Sequence, residues 1–500
     1  MQSRYNHFEY FALLFAFALL TLSLDHASAQ EVDASIYGAV LDQSGSVVPG
    51  AEVQLRSLDT NRVHRVTTDE SGNYTITPVP VGRYEASVEL KGFKKAVVTD
   101  IVLRVNDRRR VNFDMQVGGT SQQVTVVAPL VAVDTASAAT STVLNSPEVM
   151  QLPNLGRNVM GYAMLVPGVN AAHPNETDGN NYSVNGVRDT QSVWLLDGGY
   201  NVDTGGNYNT AMTPNMETVE EVRVLRGNYG AEFGMGTGAQ FNVITKSGTN
   251  TLHGSVSLYH QDDHLNATDF FAPVKPFLRY NEYGGGLGGP VVLPGLYNGR
   301  NKTFFYAFVS ERTVRGRDNF LAVLPEMAYR SGDFSALGQP ITDPQTGNPF
   351  EGNIIPPERL DANAKAYTAL YPATNYSDEI GDNYTVIRPN STNWLKQNYR
   401  IDHNFNERNR IFGRYVRQDV SIHSFTDSGY NWETYSEKDP ANNTVINFYT
   451  AFRPTLTNEV SFTRLFLAFM DFTPEFPRAK NGITIPTRFL LPPLIIRSKI

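Results

Sequence analysis

Apolar side chains recur at every second position over long stretches of this chain, and a β-strand is the regular element that gathers such residues on one face. Between residues 34 and 118 the alternation runs through Val53/Leu55, Tyr74/Ile76 and Tyr84/Ala86/Val88/Leu90. It continues through Ile101/Leu103/Val105 and Val111/Phe113/Met115/Val117. Turn-forming clusters interrupt it at Asp42-Gln43-Ser44-Gly45, Asp69-Glu70-Ser71-Gly72-Asn73 and Pro78-Val79-Pro80-Val81-Gly82. Strands about ten residues apart, each with one apolar face, predict a β-sandwich over 34–118. The short basic run Arg108-Arg109-Arg110 closes one of these segments and reads as a solvated edge.

Ahead of this domain lies an export signal. Arg4 precedes the apolar run from Phe11 to Leu20, and Ala27-Ser28-Ala29 before Gln30 has the small-x-small form that a signal peptidase cuts. Ala27, Ala29 and Gln30 are therefore the expected cleavage residues, with 1–29 removed. The run is too short for a spanning helix, which takes about 20 apolar residues. The sequence has no cysteine, so disulfides, thiolate metal sites and cysteine nucleophiles are excluded. A net charge of −8 gives no electrostatic footprint for nucleic acid.

Beyond the sandwich, residues 119–142 read as a linker rich in Ala, Ser and Thr, with one strand-forming patch, Gln123-Val124-Thr125-Val126-Val127. Such a patch adds itself to a partner's sheet edge or packs as an interdomain strand. From residue 249 onward, alternating segments of about ten residues return, the length a tilted membrane strand needs. In Asn398 to Phe405, polar Arg400, Asp402 and Asn404 alternate with Tyr399, Ile401 and Phe405. A lipid-facing barrel requires this pattern, and a large soluble barrel or sandwich shows it too. Residues 315–390, rich in Pro, Asn, Asp and Gly, predict a long loop.

Particular phrases resemble known families. Gly38-Ala39-Val40-Leu41-Asp42, Val48-Pro49-Gly50-Ala51-Glu52-Val53 and Asp69 to Tyr74 are similar to the carboxypeptidase regulatory-like domain, a carbohydrate-binding-like sandwich without peptidase chemistry. Val219-Glu220-Glu221-Val222-Arg223-Val224-Leu225-Arg226-Gly227, then Tyr229 to Gly234 and Phe241 to Gly248, closely resemble the end of the plug domain of TonB-dependent receptors. Val184 to Arg188 and Trp194 to Gly198 fit that plug's earlier strand pair. Arg330 to Ser335, Asp343 to Gly347 and Gly352 to Pro356 resemble phrases of the Oar-like subgroup.

The resemblance implies a mainly β protein: an N-terminal β-sandwich, a mixed α/β plug domain over 143–248, then the first part of an antiparallel transmembrane β-barrel over 249–500. It implies the outer membrane as location, with the N-terminal domains in the periplasm. It implies uptake driven by the inner-membrane proton gradient through a TonB-type complex. Gln123, Val124, Thr125, Val126 and Val127 then stand where the family's TonB box lies. Arg226 and Gly227 become plug anchors with Glu220, Glu221 and Arg223 as neighbours, or these charges are ordinary solvated strand residues. The sandwich contacts glycans or peptidoglycan, or only spaces the box from the membrane. Further expected partners are outer-membrane lipid and an extracellular ligand of unknown kind, glycan or peptide among the candidates. Family barrels close with about 22 strands, and the chain after Gly248 has room for roughly eight to ten of about ten residues. It therefore looks like the N-terminal part of a longer receptor.

Enzyme chemistry finds no footing. Gly284, Gly286 and Gly289 satisfy G-x-G-x-x-G, but Pro290 and Pro294 bar the helix that would hold a pyrophosphate. His173 and Glu176 have a zinc-peptidase spacing without a third ligand. His260 and His264 flank Asp262 and Asp263, a set that reads as a solvated strand end. No catalytic residue, metal ligand or cofactor is expected. The rival reading is a secreted or surface-attached β-rich adhesin that binds carbohydrate and transports nothing.

Overall fold

The computed structural model describes residues 33–475, apart from 119–122, 128–138, 153–155, 172–181, 204–209, 231–232, 235, 269–274, 378–380, 426–433, 454–455 and 469. The expected cleavage residues Ala27, Ala29 and Gln30, and the His173/Glu176 pair, lie outside the described residues.

Nine strands build the N-terminal domain: β1 (Ala34–Asp42), β2 (Glu52–Ser57), β3 (Val63–Thr67), β4 (Asn73–Val79), β5 (Gly82–Glu89), β6 (Lys95–Leu103), β7 (Arg108–Arg110), β8 (Phe113–Met115) and β9 (Gln123–Val127). One sheet has the order β4-β1-β7, with β8 also on β1, and the other runs β3-β2-β5-β6-β9. The alternation seen in the sequence is the reason they face each other. Ile36, Val40, Val53, Leu55, Val88, Ile101, Phe113 and Met115 meet in one core, while most of their chain neighbours are partly or fully exposed.

The second unit is a five-stranded sheet, β10-β15-β16-β13-β14, with short helical turns around it. Its strands are β10 (Thr140–Asn145), β13 (Val193–Leu196), β14 (Gly199–Tyr200), β15 (Val219–Gly227) and β16 (Gln240–Thr245), and a separate hairpin joins β11 (Val169–Ala171) to β12 (Tyr182–Val184). β13 and β16 pair in parallel and every residue of both is buried; β13 is a continuous apolar run, while β16 carries Gln240, Asn242 and Thr245 among its apolar residues. Trp194 stacks on Phe241 with centroids 4.1 Å apart in the middle of this core. The helix Ser146–Gln151 starts with a capping box between Asn145 and Glu148.

The third unit is an antiparallel wall of long strands: β17 (His253–Asp262), β18 (Leu278–Pro290), β21 (Thr303–Ala322), β22 (Tyr384–Asn404), β23 (Asn409–Phe425), β24 (Thr434–Arg453) and β25 (Leu456–Leu467), with β26 (Met470–Glu475) on β24. A small hairpin, β19 (Val292–Leu293) with β20 (Tyr297–Asn298), fills one turn. The wall wraps the plug with an unusual polarity. Asn398, Arg400 and Asp402 point inward, while Tyr399 and Ile401 are about half exposed on the outside with Val256, Leu258, Val460 and Phe462. Apolar-out and polar-in is what hydrocarbon outside and plug inside demand.

One expectation changes. Pairing runs into the stretch read as loop from both sides, Arg315 facing Ser391 and Ala322 facing Tyr384, so the loop proper is 323–383. Above the hydrocarbon, water wets both faces of a strand and the period-two signal fades. The glycines of G-x-G-x-x-G lie within β18, where Gly284 and Gly286 make room for the Phe308 ring on the neighbouring strand. A Cβ on Gly286 would stand 2.3 Å from that ring.

Candidate functional site

The plug, its two neighbours and the strand leading into it form the region where function concentrates. Gln123 to Val127 make β9, the last strand of the five-stranded sandwich sheet, lying parallel to β6 with Val124 beside Ala96 and Thr125 beside Val97. β6 continues from that pairing to Leu103 and into the turn Arg104 to Asp107.

That turn is a three-way joint. The Val105 N–H donates to Glu221 Oε1 of plug strand β15 at 2.7 Å, and Asp107 pairs with Arg223 of the same strand at 3.2 Å. The Val105 side chain packs with Ile244 of the plug and Phe412, Val445 and Tyr449 of the wall. The Asn106 N–H donates to the Asp33 carbonyl, and both carboxylate oxygens of Asp33 accept from Arg410 Nη2 of the wall at 2.8 and 2.7 Å. This ion pair is buried on both sides. Around it, Arg62 donates to Asn404 and to the Glu407 carbonyl, and Arg65 pairs with Glu407. Burial dominates the titration of two groups here. It raises the Glu221 carboxyl to about 7 despite the Val105 hydrogen bond and nearby Arg223. It holds His64 well below its ordinary value, aided by the charges of Arg62 and Arg410, so this imidazole is neutral.

The plug meets the wall through a second set of charges. Asp197, at the turn after β13, accepts from the Thr245 N–H at 2.8 Å, the Thr245 hydroxyl at 2.9 Å, Arg414 Nε at 3.0 Å and Arg400 Nη1 at 3.3 Å. Arg414 also donates to the Leu196 carbonyl and to Asn443, and Arg400 forks onto Asp402. Both guanidiniums thus have their donors satisfied in a buried place, the condition under which such pairs persist. Gly199 brings plug backbone so close that a Cβ would lie 2.4 Å from a methyl of Val445. On the other side of the plug, Asn215 donates to Glu282 and Ser310 of the wall, and Glu217 pairs with Arg157.

Comparison with known families agrees with this architecture. The family model of an outer membrane beta barrel domain matches residues 244–493, half of the chain. The carboxypeptidase regulatory-like domain matches 35–116 and the TonB-dependent receptor plug domain matches 133–239. The chain belongs to the TonB-dependent outer-membrane receptors. Among curated relatives, the receptor is 26% identical over 291 residues to the TonB-dependent transporter Oar of Myxococcus xanthus, covering 55% of this chain and 26% of that protein. It is 24% identical over 290 residues to the probable TonB-dependent siderophore receptor PirA of Acinetobacter baumannii, covering 51% of this chain and 35% of that one. The chain thus spans about a quarter to a third of the length of these relatives. Among solved structures, the outer membrane transporter YddB of Escherichia coli is 9% identical with a TM-score of 0.42, over 65% of this chain and 39% of that one.

The receptor lies in the outer membrane with its N-terminal domains on the periplasmic side. The adhesin reading is not favoured, since barrel and plug matches together take up most of the chain.

Of the residues singled out in the sequence, Glu221 and Arg223 meet the sandwich rather than the wall. Arg226 donates to the Pro167 carbonyl inside the plug, Gly227 pairs with Thr140, and Glu220 is exposed. Contacts that reach the wall come from Asp197 and Asn215, from Arg157, Thr213 and Thr245, and from the Glu217 carbonyl, which accepts from Tyr306. Asp197 stood in a quoted plug phrase, but its wall partners Arg400 and Arg414 are 203 and 217 residues away, and nothing local marked it. His260 bonds Asn281, and Asp262 is engaged by His264 and Arg279 at the end of β17.

Proposed function

We propose that this receptor takes up an external ligand by energy received through Gln123 to Val127 from a TonB-type complex, with inner-membrane proton-motive force as the source. The observation that carries the reading is the continuity from β9 through β6 to the Val105–Asp107 turn, which holds plug strand β15 through Glu221 and Arg223. A pull on the box therefore has a short, hydrogen-bonded route to the plug. The box supplies a β-addition surface whose main-chain groups, more than its side chains, bind the partner. The first ligand to try is a siderophore, after the name of one relative, with glycans and peptides beside it.

The test is binding of the purified receptor to the soluble periplasmic domain of a TonB-type protein. Val124→Pro removes a main-chain N–H from the strand and is expected to weaken binding at least tenfold while the barrel stays folded. Unchanged binding in that variant sinks the assignment of the box.

A further inference from the structure

The outward face of the wall carries three arginines where its apolar strip ends. In β18, Tyr280 and Glu282 are buried toward the plug, while Arg279, Tyr283 and Leu287 face out. In β21, Phe304, Tyr306, Phe308 and Ser310 are buried, and Val309, Arg315 and Arg317 face out. The register sets Arg279 directly opposite Arg315. Arg317 is the next outward residue of β21, and its guanidinium and that of Arg279 both lie over the Phe277 ring, at 4.8 and 5.7 Å.

The height of this row follows from the strand geometry. Phe305 is opposite Ile401 near the periplasmic turns that touch the sandwich. From Phe305 to Arg315, at about 3.3 Å per residue and a tilt of about 40°, is a rise of roughly 25 Å, the height of the apolar band of such a wall. The arginines therefore stand at the outer interface, just below the 323–383 loop. Leu258, Tyr283 and Val309 form the exposed apolar strip beneath them, with one carboxylate, Glu311, opposite Tyr283.

Like charges set opposite each other across two strands repel. Asp262 answers one of them, Arg279, at 3.3 Å. Asp263, His260 and His264 are the other titratable groups at that strand end, and Asp262 and Asp263 are already engaged by His264 and by the Leu278 N–H. Arg315 donates to the Val314 carbonyl and to Asn393, and neither Arg315 nor Arg317 forms an ion pair among the described residues. A cluster of this kind gains when an anion sits between its members, and the planar guanidinium fork fits phosphate oxygens two at a time.

We propose that Arg279, Arg315 and Arg317 bind the phosphate of an outer-leaflet lipid head group, with its acyl chains lying along Leu258, Tyr283 and Val309. The site opens sideways onto lipid at head-group height, which favours a lipid phosphate over one free in water. Each basic residue at a membrane surface contributes about fivefold to such binding, so removing two costs roughly thirtyfold.

The experiment uses the purified chain in detergent micelles doped with lipid A bearing both phosphates, with native mass spectrometry counting retained lipid. The Arg315→Gln/Arg317→Gln variant is expected to lose retention about thirtyfold while keeping heat-modifiable gel mobility. Dephosphorylated lipid A should bind the unaltered chain at least as weakly as phosphorylated lipid binds the variant, which keeps Arg279. Inorganic phosphate at the lipid's concentration should displace nothing. Equal retention by variant and parent, or equal binding of the dephosphorylated lipid, overturns the proposal. Full displacement by inorganic phosphate overturns the lipid assignment. If the double variant does not fold, Arg315→Gln alone decides the matter through its expected fivefold loss.

Discussion

Glu221→Gln tests the joint between sandwich and plug most directly. In the docked state the carboxyl is buried and titrates near 7, against an ordinary 4.5. At 1.36 kcal/mol for each tenfold, its charged form is disfavoured by about 3 kcal/mol when docked. The sign follows from a docked value above the undocked one. The carboxyl's contribution to docking is complete below about 4.5, falls as pH rises, and is gone once pH has passed about 7. Glutamine keeps an oxygen to accept from the Val105 N–H and carries no charge. Hydrogen exchange at the Val105 amide, corrected for intrinsic pH dependence, reads the opening of the joint. In the parent chain, protection should fall roughly a hundredfold between pH 5 and pH 9. In Glu221→Gln it should stay flat, near the parent at pH 5 and well above it at pH 9. Parallel profiles for the two proteins, or a parent protected more strongly as pH rises, would refute the reasoning.

Other expectations concern the remaining contacts. Asp33→Asn removes one partner of a buried pair with Arg410 and should cost about 3 kcal/mol or more of docking; limited proteolysis should then cut the sandwich faster while the barrel keeps its heat-modifiable mobility. Asp197→Asn strips Arg414 and Arg400 of a shared carboxylate, so the plug should exchange its amide hydrogens faster by at least a hundredfold at Thr245, again at about 3 kcal/mol. In the 323–383 loop, the Arg359 hydrogen bond holds Asp343 down to about 2. A depressed value contributes order that is present above the ordinary 3.8 and lost as pH falls toward 2, and amide exchange over 343–348 should rise across that window. Asp343→Asn should show the faster exchange already at neutral pH.

The sequence disclosed the parts whose signal is local. Each strand of the wall meets lipid on one side and plug on the other, so Tyr399/Ile401 against Arg400/Asp402 could be read without knowing any partner. The sandwich was legible for the same reason, and the plug through its phrases from Val219 to Ser247. What stayed hidden depends on pairs far apart in the chain. Nothing around Asp197 announces Arg414, and nothing in Glu221 announces Val105. The 123–127 patch had two open readings, a tether that adds to a partner or a packed strand. Its bond to β6 turns on a parallel register that a sequence pattern does not encode. The loop was overdrawn at 315–390 because pairing there continues between strands wetted on both faces.

The inward face of the wall has a further consequence for what lies behind the plug. Arg312, Lys396, Arg400, Arg410 and Arg414 line it, against the acids Glu282 and Asp402. With the plug seated, its own Asp197, and Asp33 of the sandwich, balance part of that excess. Lift those carboxylates away and the same surface becomes a hydrated, cation-lined corridor. Its charge balance at rest is borrowed in part from the body that fills it.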